Sequence, residues 1–246
     1  MKLSVCIICK NEEDKIERCL ESVKWADEII VLDSGSTDET RVIANKYTDK
    51  VFVRDDWQGF GEQRRRAEAL ATNDWIFAID CDEVVSERLK EEIITTLAKC
   101  NEKNILKLNR LTYFCGQFIR HSGWYPDRVA RIYNKKITGY NQNLVHESVV
   151  MLDFKPIELK EYILHFQHED IFGYMNKRNH YAHIGAEQMV NKGKKPSLLK
   201  ASSSAFFAFI RHYFLRRGFL DGKAEFVIVV IQSQYSFNKY LFAYYK

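Results

Sequence analysis

Trp75-Ile76-Phe77-Ala78-Ile79-Asp80-Cys81-Asp82-Glu83 is the stretch whose reading decides the fold. Its first five residues are apolar, aromatic or β-branched, and they stop at three carboxylates within four positions. A run this short, with no helical continuation, predicts a buried strand of a parallel sheet. In open α/β sheets the ligand sits beyond the carboxyl ends of the strands. Acids crowded at that point repel one another unless a cation or a hydrogen-bonded ligand offsets their charge. Asp80 and Asp82 are therefore a candidate hard-metal site, with oxygens suited to Mg²⁺ or Mn²⁺ and to a diphosphate on the same ion. An Asp N-cap for a helix beginning near Ser86 accounts for the same residues equally well.

Upstream, Leu3 to Cys9 is another near-continuous apolar run, ended by Lys10-Asn11-Glu12-Glu13. Ile16, Leu20 and Val23 then recur at helical spacing. Glu28 to Leu32 predicts a second strand, and Asp33-Ser34-Gly35-Ser36-Thr37-Asp38-Glu39-Thr40 reads as a turn with capping chemistry before a helix at 39–47. Val51-Phe52-Val53 is a third strand, and Gly59 and Gly61 open a helix carrying Gln63-Arg64-Arg65-Arg66. The quoted strand follows, then a helix from about Ser86 to Ala98, with Glu83 as an acid at its start. Four strand-helix pairs predict a doubly wound α/β sheet. GxGxxG and Walker A sequences are missing, so a nucleotide would be held by acids, basic side chains and a metal.

Downstream, residues 104–118, Val129–Tyr133 and Tyr162–Phe166 read as further strands, and Gly123-Trp124-Tyr125-Pro126-Asp127-Arg128 as an aromatic-rich loop. A helix is expected over Ile171–Val190, and Lys192-Gly193-Lys194-Lys195-Pro196-Ser197 breaks the pattern as a boundary. In 198–246 large aromatics alternate with Arg211, Arg216, Arg217 and Lys223, with Gly218 between two helices. That composition suits a helix lying on an anionic membrane surface, and the scarcity of acids in it (Asp221 and Glu225) favours this reading; an amphipathic helix docked on the main domain is the alternative.

A length of 246 residues with 46% hydrophobic and 13% aromatic content supports one large domain, or a main domain and an appendage. A net charge of +4 is too slight to imply nucleic acid. The six cysteines complete no zinc pattern; they read as reduced, buried thiols of a cytosolic protein, with Cys6 and Cys9 on opposite faces of a strand. Neither a signal peptide nor the ~20-residue apolar run of a membrane span is visible.

Taken in order, Lys10-Asn11-Glu12-Glu13, Asp33-Ser34-Gly35-Ser36-Thr37-Asp38 and Asp80-Cys81-Asp82-Glu83 resemble the family 2 glycosyltransferases, which have the GT-A fold. Gly61-Glu62-Gln63-Arg64 looks like that family's Gln-Lys-Asn segment, with Arg where Lys is common. Gly123-Trp124-Tyr125-Pro126-Asp127, Val145-His146-Glu147-Ser148 and the Tyr-rich helix near 181 are similar to a bacterial branch, the lipopolysaccharide core β-1,4-glucosyltransferases. The resemblance covers nearly the whole chain and is least diagnostic in the tail.

The resemblance implies a GT-A mixed sheet flanked by helices with a C-terminal helical membrane-surface appendage. Residues 1–191 would be the transferase domain, its nucleotide-sugar half about 1–100 and its acceptor half about 101–191, and 192–246 the basic aromatic tail. Glu12, Asp33, Arg64 and Asp80 would hold the nucleotide-sugar, with Asp33 on the base. Asp82 would ligate Mg²⁺ or Mn²⁺, Asp80 would hold the ribose or a metal-bound water, and His146 is open between a further ligand and a hydrogen-bond partner. Glu147 is the expected base of an inverting displacement and Asp127 the alternative; a salt bridge from Glu147 to an arginine such as Arg131 is the competing structural role. Trp124 and Asp127 would shape the acceptor pocket, and His165 and His168 are read as structural or acceptor-side. The implied activity moves a hexose, glucose first, from a UDP-sugar to a lipid-linked saccharide such as the lipopolysaccharide inner core, at the cytoplasmic face of the inner membrane. A protein, polyprenyl phosphate or capsule acceptor, or a non-catalytic sugar-nucleotide binding protein, are the alternatives.

Overall fold

The first part of the chain alternates as its apolar spacing predicts: β1 (Leu3–Cys9), α1 (Ile16–Val23), β2 (Glu28–Asp33), α2 (Thr40–Ala44), β3 (Val51–Val53), α3 (Phe60–Leu70) and β4 (Trp75–Asp80). There follow β5 (Glu83–Val84), α4 (Glu87–Leu97), β6 (Ile105–Phe114), β7 (Gln117–Phe118), β8 (Asp127–Asn134), β9 (Pro156–His168) and α5 (Ile171–Asn191). The chain closes with α6 (Leu198–Phe209), a π-helical segment (Ile210–Leu215), a 3₁₀ turn (Gly218–Asp221) and α7 (Gly222–Tyr244). The computed structural model describes residues 1–141, 147–151, 154, 156–168 and 170–246. Two compact units result: residues 1–110 with 127–165, and residues 111–126 with 166–246. The boundary read at 192–197 lies inside the second unit.

In the first unit the strand order is β3-β2-β1-β4-β8-β6-β9-β5. β1, β2, β3 and β4 are parallel, whereas β8 joins β4 and β6 antiparallel and β5 joins β9 antiparallel. The sheet is thus mixed, parallel on one side of β4 and antiparallel on the other.

The central strands read as unbroken apolar runs because both of their faces are buried. Val5, Ile7 and Cys9 of β1 and Phe77 and Ile79 of β4 join one core, covered by Ile16, Leu20 and Val23 of α1 and Leu89 and Ile93 of α4. Cys6, Ile30, Leu32, Ile76 and Ala78 point the other way into a second core, with Ala67 and Ala71 from the α3 side. Cys6 and Cys9 do fall on opposite faces. Five of the six thiols are buried, but Cys115 is exposed. It sits at the β6–β7 turn, where Cys115 and Gly116 both take positive φ, 38° and 110°.

The competing cap reading of the quoted stretch is settled by α4. Its N-cap is Ser86, whose Oγ accepts the Leu89 amide at 3.2 Å. Glu83 does not open that helix; it lies in β5, opposite His165.

The second unit packs α5 and α6 on α7. Phe114, Ile119, Tyr174, Ile228 and Ile231 form its core, against which Trp124 rests. The segment after β7 is fastened to the tail: Asp221 Oδ2 accepts the Arg120 and His121 amides at 2.8 and 2.7 Å, and Ser122 Oγ donates to His212 O at 2.9 Å. Gly218 is required by closeness, since a Cβ there would stand 2.3 Å from Ser122 Oγ.

Candidate active site

Because β1, β2 and β4 are parallel, their carboxyl ends present three polar loops at one edge of the first unit. The register pairs Cys9 with Asp33 and Ile8 with Asp80, so the two acids flank β1 at nearly one level. β1 lies between β2 and β4, with α1 on one face of the sheet and α3 on the other, the arrangement that leaves a ligand crevice in open α/β sheets.

Asp33 is fully buried and organises its own loop. Its Oδ1 accepts the amides of Gly35 and Ser36 at 3.0 and 2.8 Å, and Ser36 Oγ donates to Oδ2. Glu12 is anchored through its amide, which donates to Thr40 Oγ1 at 2.8 Å, while Lys15 Nζ lies 3.2 Å from its carboxylate. Burial raises the Glu12 pKa, against Lys15, and the charge of Asp82 adds to the rise. Glu12 and Asp82 therefore sense one another.

The three acids of the quoted stretch have three different environments. Asp80 is held between two buried guanidinium groups, Arg64 from α3 and Arg131 from β8. Burial alone would raise its pKa; Arg131 and then Arg64 outweigh that and hold it well below the carboxylate range. Glu83 has no exposed surface: its Oε2 accepts the Asp80 amide at 2.9 Å, and its Oε1 accepts from Arg131 Nη2 at 2.8 Å. Glu83 and Arg131 thus close the turn that carries Asp82. Thiols complete the fastening, with Cys81 Sγ donating to Ile8 O at 3.1 Å and Cys19 Sγ to Asp80 O at 3.3 Å. Asp82 has no guanidinium partner among the described residues. His165 Nε2 lies 3.5 Å from its Oδ2, and that contact brings its pKa down against the opposing effect of burial.

Arg64 connects the acid turn to the expected base. It is 4% exposed, its Nε donates to Glu147 Oε1 at 3.4 Å, and its guanidinium lies over the Tyr140 ring, 5.0 Å from the centroid. Its Nη1 is buried with no hydrogen-bond partner among the described residues. A buried cationic N–H left unpaired is costly unless a ligand supplies the acceptor. The arginine beside Glu147 is accordingly Arg64, while Arg131 serves Asp80 and Glu83. Asp127, the other candidate base, is engaged by Arg110, whose Nε and Nη2 lie 2.8 and 2.6 Å from its Oδ2. Trp124 belongs to the second unit, where its ring packs edge-on to Phe114 with centroids 6.2 Å apart. His146 lies outside the described residues.

The first unit therefore brings together Glu12, Asp33, Arg64, Asp80, Asp82, Asp127 and Glu147, as well as residues that sequence spacing did not single out for chemistry. Arg131 carries a signal in retrospect: it is the one charged residue in Val129-Ala130-Arg131-Ile132-Tyr133, an otherwise apolar run. The pairing of Glu83 with His165 carries none, because it depends on β9 returning beside β5.

The sequence model of "Glycosyl transferase family 2" matches residues 4–159. An uncharacterized glycosyltransferase of Rickettsia bellii is 35% identical over 98% of this chain and 84% of its own length. A lipopolysaccharide core biosynthesis glycosyltransferase of Rhizobium meliloti is 28% identical over 96% of this chain and 90% of its own. Among solved structures, glucosyl-3-phosphoglycerate synthase from Mycobacterium tuberculosis in complex with Mn²⁺ and uridine-diphosphate-glucose aligns over 46% of this chain and 44% of its own, at 28% identity and a TM-score of 0.38. The family match begins at β1, ends within β9 and takes in the acid turn with both of its arginines, and on it the chain belongs to glycosyl transferase family 2.

Proposed function

We propose that the chain transfers a hexose, glucose first, from a UDP-sugar to a lipid-linked saccharide of the lipopolysaccharide inner-core type, with inversion at the transferred carbon. The observation that carries this reading is the division of labour in the acid turn. Asp80 and Glu83 are engaged by arginines, which leaves Asp82 as the carboxylate available to a cation, while Arg64, paired with Asp80, keeps an unpaired buried N–H. The similarity to the Rhizobium meliloti lipopolysaccharide core enzyme supports the acceptor class, and such an acceptor would be met at the cytoplasmic face of the inner membrane.

A divalent cation fits the donor set. The Asp82 carboxylate, oriented by His165 at 3.5 Å, is an oxygen donor of the kind Mn²⁺ and Mg²⁺ take, and among the described residues no group of three or more ligating side chains gathers. Donor phosphate oxygens and water would fill the remaining positions, as is usual for Mg²⁺. Bound there, the ion supplies Lewis-acid stabilisation of the departing diphosphate. Asp33 and Glu12 border the nucleoside position, Asp80 the ribose, and Arg64 presents Nη1 to a phosphate oxygen. Glu147 takes the proton from the acceptor hydroxyl as that oxygen bonds to the anomeric carbon; the carbon–oxygen bond to the diphosphate breaks, and its electron pair leaves with UDP.

Thermal unfolding in the presence of nucleotides, with and without Mn²⁺, tests the donor. A ligand at 100 times its Kd stabilises by about 2.7 kcal/mol. UDP and one UDP-hexose should raise the midpoint with Mn²⁺ present, more than GDP or CDP. Equal response to every nucleotide, or to none, would remove the UDP-sugar reading.

A further inference from the structure

The segment 192–226 in the second unit carries five lysines and three arginines, and all eight are exposed. It contains two acids, Asp221 and Glu225, and neither offers charge to the surface. The Asp221 side chain is 8% exposed and occupied by His121 and two amides; Glu225 has no exposed surface. The exterior of this segment is therefore cationic without compensation.

Large apolar groups interrupt that charge. Leu199, Phe207 and Leu215 are 79%, 66% and 75% exposed, and Phe206 lies against Phe207 with ring centroids 5.7 Å apart. Around the π-helical segment, Phe209, Tyr213, Phe214, Phe219 and Phe226 form one connected ring cluster with centroids 5.2–6.3 Å apart. Phe214, Phe219 and Phe226 in that cluster are exposed. A contiguous aromatic patch left in water marks an interaction surface. No helix of the described residues is long and apolar enough to cross a membrane, so a bilayer contact here would be interfacial.

We propose that the exposed face of α6, the π-helical segment and the 3₁₀ turn is a membrane-docking surface that inserts its aromatics among the headgroups of an anionic bilayer, with the flanking lysines and arginines on the lipid phosphates. Charge selects this occupant. A second copy of the same face would set Lys200, Arg211, Arg216 and Arg217 against their own kind, and like charges juxtaposed across an interface are penalised, whereas anionic headgroups neutralise them. Neither acid needs to be protonated, because both are already turned inward. The proposal stands on this surface alone and does not depend on the sugar-transfer reading.

Co-sedimentation with vesicles that contain neither donor nor acceptor sugar tests it. The full chain should bind phosphatidylethanolamine–phosphatidylglycerol vesicles, bind phosphatidylcholine vesicles far less, and lose affinity as salt rises. Two variants separate the contributions. Arg211→Gln/Arg217→Gln/Lys223→Gln should weaken anionic-vesicle binding roughly tenfold or more. Phe207→Ser/Phe214→Ser/Leu215→Ser should do the same at unchanged unfolding midpoint; if it fails to fold, Phe207→Ser alone replaces it and should weaken binding measurably. Absence of vesicle binding by the parent chain, or binding indifferent to both the lipid charge and the charge variant, overturns the proposal. So does an apolar variant that turns a dimer into a monomer while vesicle binding stays unchanged, since the face would then cover a second copy.

Discussion

Asp80 and Asp82 stand two residues apart and answer to different partners, which makes their substitutions distinguishable. Asp80→Asn would leave Arg64 and Arg131 buried without the negative charge they share and turn an amide N–H₂ toward one of them, and breaking a buried pair from one side costs about 3 kcal/mol. Asp82→Asn strands no guanidinium, so it should abolish Mn²⁺-dependent stabilisation by UDP while moving the unfolding midpoint little. A calorimetric scan of both variants checks this; equal loss of stability in the two would contradict the assignment. Glu147→Gln should lower kcat by on the order of 10²–10⁴ and leave the donor KM close to its original value, because the amide cannot take the acceptor proton. Steady-state kinetics with varied donor provides the measurement, and an unchanged kcat would return the base role to Asp127. The acids were legible from their crowding at a strand end. Which one remained open was not, because that depends on Arg131 and His165, which arrive from strands 51 and 83 residues beyond Asp80 and Asp82.

Elements hold this site from the far end of the sheet as well. Glu28, the first residue of β2, accepts hydrogen bonds from Ser4 of β1, from Lys50 just before β3 and from Thr72 in the turn before β4. One carboxylate thus gathers the amino ends of four parallel strands. Burial alone would raise its pKa; Lys50, Ser4 and Thr72 outweigh burial and take it down to about 2. A depressed carboxylate stabilises above its unfolded pKa and loses that contribution as pH falls through the folded value. Glu28→Gln should therefore cost on the order of 2–3 kcal/mol at neutral pH and converge with the parent as pH falls from about 4.5 toward 2. Denaturant titrations across that range test it; a constant difference at every pH would mean the ion pair is not the source. The central parallel strands β1, β2 and β4 were legible as doubly buried apolar runs. The antiparallel strands and β5 were less so: β5 is two residues long and exists only because β9 pairs with it.

For the whole molecule, the two units are built from interrupted segments, so residues 111–126, which include the end of β6, group with 166–246 although they lie between two stretches of the first unit. Basic and aromatic residues made the tail visible as a separate composition, but no local pattern announced that its Asp221 and His212 would fasten Arg120, His121 and Ser122. Glu225 lies in that same packing. Burial pushes its pKa to about 7, with Asp221 adding to the rise and Ser122 and His121 opposing it. A carboxyl raised in this way binds its proton more tightly folded than unfolded, so its contribution is full at low pH and is lost as pH rises through about 7. Between pH 5 and pH 8 the parent should lose on the order of 3 kcal/mol that Glu225→Gln retains. Parallel pH–stability profiles of the parent and Glu225→Gln would contradict the assignment.

Hexose transfer from UDP by way of the Asp82 carboxylate can be read directly as UDP release. UDP-glucose and the other UDP-hexoses would each be supplied with a lipid-linked inner-core saccharide and Mn²⁺, and the anomeric configuration of the product read by NMR. The parent chain should form UDP in step with an inverted glycoside, and Asp82→Asn should form neither product. Transfer at parental rate by Asp82→Asn, or a product that retains the donor's configuration, would contradict it.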